Sequence, residues 1–297
     1  MRVPAAAPRL RLRGRDLGPG PLVMAVVNRT PDSFYPGSRQ ITDDAALEAV
    51  DRAVAEGADL VDVGGVRAGP GQDVDEVTEI ARVVPFLERL RERHPDVVVS
   101  VDTWRGGVAE LACVAGADLV NDTWAGHDPR LVEVAAARGA GVVCSHTGGV
   151  DPRTLPHRVS YGTSPDGVVD AVVSSLRASA AHAVEVGVDP ASVLVDPTHD
   201  FGKNTWHGLA LLRGTPALVE LGFPVLMALS RKDFVGETLD LRVEERLEGT
   251  LAATAVAAWL GATVFRAHDV AATRRVVDMV ASIRGERAPA AALRGLA

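Results

Sequence analysis

Eight short apolar runs punctuate this chain, and a polar or charged residue stands where each one stops. Val23 to Val27 runs into Asn28, Leu60 to Val63 into Gly64-Gly65 and then Arg67, Val97 to Val101 into Asp102, and Leu119-Val120 into Asn121-Asp122. Gly141 to Cys144 leads to His146, Val193 to Val195 to Asp196, Val225 to Leu229 to Ser230-Arg231-Lys232, and Thr263 to Phe265 to Arg266 and His268. Between these runs, helical apolar spacing covers 43–56, 74–93, 105–115, 128–138, 165–186, 206–220, 243–260 and 270–283. Such alternation predicts a (β/α)8 TIM barrel, with its strand ends converging on one rim where the loops carry chemistry.

Two segments are close copies, Glu56-Gly-Ala-Asp-Leu-Val-Asp62 and Ala115-Gly-Ala-Asp-Leu-Val-Asn121, with a weaker echo at Leu260-Gly-Ala-Thr-Val-Phe265. In each, a glycine ends a helix and an apolar strand follows, as expected of a repeated unit within one domain spanning 1–297. Thr42-Asp43-Asp44 and Ser164-Pro165-Asp166 read as helix starts, with acidic residues near the positive end of the helix dipole. Residues 1–22 stand apart. Arg9 to Leu17 alternates charged and apolar positions and meets Gly18-Pro19-Gly20, a pattern for a β-hairpin covering the barrel bottom or, failing that, a flexible basic arm. Two loops are long, from Asn28 to Gln40 and from Thr147 to Gly162.

Composition narrows the function. A hydrophobic content of 47% with 24% charged residues fits a soluble globular protein, and a net charge of −8 argues against nucleic acid or an anionic membrane as partner. A small anionic substrate stays open, because Arg231, Lys232, Arg266 and His268 gather at strand ends. Cys113 and Cys144 have no CxxC spacing, which fits a reducing cytoplasm without a disulfide framework. The N-terminus has no apolar signal-peptide core, and the longest near-apolar stretch, Leu251 to Phe265, is too short to span a bilayer.

Asp102, Asn121 and Asp196 end three strands and are expected to converge. Two carboxylates and a carboxamide make an acceptor-rich pocket, suited to a heterocycle with several N–H donors and to positive charge developing on it. For Asp102 the competing reading is a helix cap, since Thr103-Trp104-Arg105 opens a helix. Ser230-Arg231-Lys232 and Arg266-Ala-His268-Asp269 supply donors for a phosphate, often bound by the late strands of such barrels. Asn28 adds an oxygen for a phosphate-bound magnesium ion. The absence of HxH after the first strand and of HExxH anywhere argues against a zinc or iron hydrolase, which His146, His199 and His268 would otherwise raise.

Met24-Ala-Val-Val-Asn28-Arg-Thr-Pro-Asp-Ser-Phe34 resembles the opening signature of dihydropteroate synthases. So, in order, do Asp62-Val-Gly-Gly65, Ser100-Val-Asp-Thr103, Val120-Asn-Asp122, Asp196-Pro197 with Phe201-Gly-Lys203, Ser230-Arg-Lys232 and Arg266-Ala-His-Asp269. The resemblance implies a cytoplasmic, Mg²⁺-dependent transferase of folate biosynthesis. It joins 6-hydroxymethyl-7,8-dihydropterin diphosphate to p-aminobenzoate and releases diphosphate. By the same resemblance, Asp102, Asn121, Asp196 and Lys232 hold the pterin, and Asn28, Arg266 and His268 the diphosphate, with Asn28 near the metal; Arg67, two positions ahead of the family's arginine, is expected to substitute for it in part at the diphosphate. Thr30, Pro31, Phe201, Lys203, Ser230 and Arg231 shape the acceptor side, and the chains pair as a homodimer through late helices. A related group, the corrinoid-linked methyltransferases, shares the pterin pocket but needs no diphosphate clamp, and the clamp residues speak against it.

The chain departs from the family on the loops by which substrate approaches. Gly-Gly-Glu-Ser-Thr-Arg-Pro becomes Gly64-Gly-Val-Arg-Ala-Gly-Pro70, Met-His-Met becomes Ser145-His146-Thr147, and Gly-Ile-Gly becomes Thr198-His199-Asp200. Arg29 and Tyr35 replace smaller residues in the first loop. Asp200 is expected to oppose an anionic acceptor by like charge. The alternative to an active synthase is thus a diverged pterin-binding paralogue with little synthase activity, or with a different acceptor.

Overall fold

The computed structural model describes residues 9–18, 20–29, 43–154, 159–164 and 166–294. At the start, β1 (Arg11–Leu12) and β2 (Arg15–Asp16) form an antiparallel hairpin. Its two turn residues, Arg13 and Gly14, both take positive φ (47° and 78°), the twist that a tight hairpin turn requires. Leu10 and Leu12 from this hairpin pack with Leu22, Met24, Leu60, Val98, Leu119, Val143, Leu194, Leu226 and Val264 in one cluster inside the barrel. The hairpin therefore plugs the bottom.

The barrel strands are β3 (Leu22–Asn28), β4 (Leu60–Gly64), β5 (Val98–Asp102), β6 (Leu119–Asp122), β7 (Gly141–Ser145), β8 (Val193–Asp196), β9 (Leu226–Ala228) and β10 (Val264–Ala267). They pair in parallel in the order β8-β7-β6-β5-β4-β3-β10-β9, and the edges meet at a bridge between Val195 and Val225. Period-two alternation sorts the side chains. Val61, Val63, Val99 and Val101 face outward into the helix-packed core, whereas Leu60 and Val98 face the axis. Asp62 and Ser100 follow Leu60 and Val98 on that inner face and lie opposite one another, and one step higher Gly64, Asp102 and Asn121 are aligned. The interior is thus apolar at its base and polar toward the strand ends.

Around the barrel run α1 (Asp43–Ala55), α2 (Glu76–Arg93), α3 (Gly106–Val114), α4 (Arg130–Arg138), α5 (Gly167–Val186), α6 (Thr205–Arg213), α7 (Thr215–Val219), α8 (Asp233–Leu239), α9 (Leu247–Trp259) and α10 (Val270–Ile283). The helix expected over 206–220 is two, because the chain turns at Gly214 and restarts at Thr215-Pro216, proline being suited to a first turn. Helix α8 escapes the sequence reading altogether: it is two turns long and carries Gly236, where an added Cβ would stand 2.2 Å from the Arg246 guanidinium. No helix among the described residues is long and apolar enough to cross a membrane.

A candidate active site at the strand ends

The deep part of the site is a network of side chains bonded to one another. Asp62, wholly buried, accepts from Arg266 Nε at 2.6 Å and from the Asn121 amide at 3.1 Å on the same oxygen, Oδ2. Arg266 also donates to Asp102 Oδ2 at 2.8 Å, while Thr123 donates to Asp102 Oδ1 at 2.6 Å. Gly64 completes the cradle, since a Cβ there would stand 3.5 Å from the Asp102 Cβ and 3.7 Å from Asn28 Oδ1. Asp102 is no helix cap: the first amide of α3, Gly106, is met by Asp128 at 2.7 Å instead. Burial first, and the neighbouring Asp62 charge after it, outweigh Arg266 and raise the Asp102 carboxyl to about 6. Burial opposes charge on Arg266, but Asp62 and Asp102 hold its guanidinium above its ordinary value.

Asp62 has no role in the sequence reading, although its motif is quoted there. It sits two residues before the strand end, and the signal that finds it is alternation: Leu60, Asp62 and Gly64 share the inward face. Its Oδ1, like Ser100 Oγ, is buried without a hydrogen-bond partner.

The other half of the rim is held differently. Burial raises Asp196 to about 6, partly countered by the Thr198 amide, which donates to its Oδ1 at 2.7 Å. Lys203 is buried, and its ammonium donates to three backbone carbonyls, His146 at 2.6 Å, Phe201 at 2.8 Å and Thr198 at 3.2 Å. Lys232 donates to the His199 carbonyl at 2.8 Å and lies 4.5 Å from the centre of the Phe201 ring. Arg231 is buried with a two-pronged pair to Asp269 and further bonds to the Val243 and Glu244 carbonyls. The Ser230 hydroxyl accepts from the His268 amide at 3.2 Å, and burial pushes the His268 ring down to about 4, leaving it neutral at neutral pH.

Asp200 has a structural role that its sequence position does not display: its carboxylate accepts from the Asp233 and Phe234 amides at 2.6 and 3.3 Å and so caps α8. Thr198 is buried too, its hydroxyl donating to the Asp196 carbonyl and accepting from the His146 amide. Both residues keep positive φ, 53° and 69°, a conformation natural to the glycines they replace.

In the loop after β4, Val66 packs with Trp104 and Trp124 in a separate apolar cluster at the rim, and Arg67 is half-buried. Arg153 reaches across from the loop after β7, donating to the Gly69 carbonyl at 3.2 Å and the Gln72 carbonyl at 2.9 Å. Thr30, Pro31 and Tyr35 lie outside the described residues.

A parallel barrel with an acceptor-rich pocket at its strand ends defines a class, and sequence comparison meets it: the profile for pterin binding enzymes matches residues 24–268. The chain is 64% identical to the inactive dihydropteroate synthase 2 of Mycobacterium leprae, over 93% of this chain and 95% of that one. It is 38% identical to the dihydropteroate synthase of Bacillus subtilis, over 87% of each. The structure of Xanthomonas albilineans dihydropteroate synthase with 4-aminobenzoic acid superimposes with a TM-score of 0.82 at 38% identity, covering 94% of this chain and 98% of that one. The chain belongs to the dihydropteroate synthase family.

Proposed function

We propose that the protein binds a pterin diphosphate in the deep pocket and condenses it with p-aminobenzoate weakly or not at all. One observation carries this reading: Asp62, Asp102, Asn121 and Arg266 bond to one another through side chains that a ligand can replace, whereas the acceptor-side cations Lys203 and Arg231 are committed to the fold. The Ser/Thr hydroxyls of the family's second loop are also missing here, their place taken by a loop packed through Val66 and held by Arg153. The name of the Mycobacterium leprae relative agrees.

In the reaction implied, the bond from the pterin methylene to the diphosphate oxygen breaks, and its electron pair leaves with diphosphate. The amine nitrogen of the acceptor then bonds the methylene carbon and gives up a proton. Asp102, Asn121, Asp196 and Lys232 hold the pterin ring, and at neutral pH the two carboxylates are ionised and steady the positive charge. One carboxylate about 4 Å from that charge contributes about 4 kcal/mol at an effective dielectric near 20. Arg266, His268 and Arg67 receive the diphosphate; for Arg266 this means exchanging its carboxylate partners for phosphate oxygens. Magnesium would draw charge from the leaving group. The donors present fit it: Asn28 Oδ1 beside Asp102 offers hard oxygens, and no three His, Cys, Asp or Glu among the described residues gather as a cage, as suits an ion carried on phosphates. Phe201 and Ser230 remain on the acceptor side, with Thr30 and Pro31 of the first loop.

Exposed Val256 on α9 and Met279 and Ile283 on α10 support a homodimer through these helices, which sedimentation velocity on Met279→Lys would test by yielding monomer. The main test is calorimetric titration with the pterin diphosphate and then p-aminobenzoate, followed by turnover. Pterin binding with slow turnover is expected. Rates on the order of 1 per second or more, typical of enzymes, would refute the impaired reading.

A further inference from the structure

Asp102 ends β5, and parallel pairing to β4 and β6 fixes its backbone. That pairing does not fix its carboxylate, because the last torsion of an aspartate side chain is broad and roughly two-fold. The register neighbours give it little hold. Gly64 has no side chain, and the Asn121 amide is spent on Asp62. Two side-chain donors set the carboxylate instead: Arg266 at 2.8 Å on Oδ2, and the Thr123 hydroxyl at 2.6 Å on Oδ1.

A ligand acts differently on these two donors. Arg266 is long, and the diphosphate proposed above competes for its guanidinium. Thr123 is short and β-branched, which leaves its χ1 few choices. Its backbone is also pinned. The Thr123 amide donates to the Asn121 carbonyl at 3.1 Å, and the Trp124 and Gly126 amides donate to the Asp122 carboxylate at 3.2 and 2.6 Å. The Ala125 amide donates to the Ser145 hydroxyl at 3.2 Å. Every amide from Thr123 to Gly126 is thus met without the Thr123 hydroxyl. That hydroxyl is surplus to the turn that carries it, and Asp102 is what it serves.

We propose that Thr123 is a positioning residue for the pterin: its hydroxyl keeps the Asp102 carboxylate turned toward the ring when the diphosphate draws Arg266 away. This role rests on the proposed function, since it needs a pterin in the deep pocket and a phosphate on Arg266. Its consequence is lopsided. With a pterin that lacks the diphosphate, Arg266 stays on Asp102 and the two donors share the task. With the diphosphate bound, Thr123 alone of the two remains. Its loss should therefore weaken the second ligand more than the first, which a general support of the loop would not do.

Calorimetry on the full chain with Mg²⁺ tests this, using 6-hydroxymethyl-7,8-dihydropterin diphosphate and the same pterin without its diphosphate. Thr123→Val keeps the branched shape and loses the donor. It should weaken the diphosphate ligand about tenfold and the plain pterin about threefold or less, a hydrogen bond to a charged group being the stronger kind. The melting temperature should stay close to that of the wild type, because the turn keeps its own bonds. Thr123→Ser keeps the donor and should restore the diphosphate affinity; Thr123→Ala replaces the valine variant should that one fail to fold. Equal losses for the two ligands, no loss for either, or no restoration by serine would each overturn the role. A wild type that binds no pterin diphosphate sinks the proposed function and this role with it. Wild-type binding that Thr123→Val leaves unchanged sinks this role alone.

Discussion

The two halves of the rim hold comparable charge and use it in opposite ways. Across β4, β5, β6 and β10, polar side chains bond to one another: Arg266 to Asp62 and Asp102, Asn121 to Asp62, Thr123 to Asp102. Around the loop after β8, polar side chains bond mainly to the backbone: Lys203 to three carbonyls and Asp200 to two amides, with Lys232 from the end of β9 and Tyr161 from the loop after β7 donating to the carbonyls of His199 and Gly202. A side-chain partner can swing away and be replaced by ligand, whereas a backbone partner cannot leave without unfolding its loop. The first half has the character of a site held closed by its own groups. In the second, Lys203 and Asp200 serve as scaffold, whereas Asp196 and Lys232 are the members proposed to hold the pterin.

Lys203 makes the largest test of that contrast. Lys203→Met keeps the apolar stem and strands three backbone carbonyls, at a cost of about 3–5 kcal/mol. For a chain of this size the melting temperature should fall by roughly 5–10 °C. Pterin affinity of the folded fraction should hold. If stability holds and affinity collapses instead, Lys203 belongs to the site and the division is wrong.

Arg266→Ala tests the other half. It removes the charge-assisted contact proposed for the diphosphate, an expected loss of roughly 1.5–3 kcal/mol in binding. It also leaves Asp62 and Asp102 facing each other without a counter-charge, which raises Asp102 further. Affinity for the pterin lacking diphosphate should change far less. Equal losses for both ligands would remove Arg266 from the phosphate assignment.

The barrel was readable because strand ends and helix ends announce themselves. Gly57, Gly116 and Gly261, which end the helix ahead of each repeated strand, all take the positive φ that only glycine adopts freely. What the sequence does not display is the partner. Arg231 and Lys203 stand at rim positions like Arg266, and only the fold reveals that Asp269 and the loop carbonyls claim them. Asp62 escaped for the opposite reason: a site expected at the last residue of each strand overlooks the inward position two residues earlier. Loop substitutions are harder still, because Asp200 reads as an added charge at an entrance until the start of α8 is seen beneath it.

His199 gives a smaller effect of predictable sign. It is wholly buried against Phe234 and neither ring nitrogen has a hydrogen-bond partner, so His199→Ile, the residue usual in the family, should stabilise by about 1–3 kcal/mol at neutral pH. Burial, with Lys203 and Lys232 behind it, lowers the folded-state pKa from 6.5 to about 3. Below the unfolded value the unfolded chain takes up a proton that the folded chain refuses, so stability drains as pH falls. By pH 4.5 the wild type should have lost on the order of 2–3 kcal/mol more than His199→Ile. The buried carboxylates Asp102, Asp122 and Asp196, raised to about 6, act in the opposite direction but are common to both proteins and cancel in the difference. Parallel acid limbs for the two proteins would place the imidazole in water.

The smallest effect is expected where the sequence alone promised a large one. Were Thr198 and Asp200 obstacles to an anionic acceptor, restoring glycine at both would raise p-aminobenzoate turnover. Their side chains instead hold the loop to Asp196, His146 and α8, in backbone conformations that cost a residue with a Cβ about 1–2 kcal/mol. Thr198→Gly and Asp200→Gly relieve that strain and lose roughly the same in hydrogen bonds, about 0.5–1.5 kcal/mol each. Net stability should therefore stay within about 1 kcal/mol of wild type, and turnover should not rise, because neither change opens a path or supplies the hydroxyls absent from the loop after β4. A tenfold gain in turnover would show that the loop after β8 gates the acceptor after all, and would move it from scaffold to site.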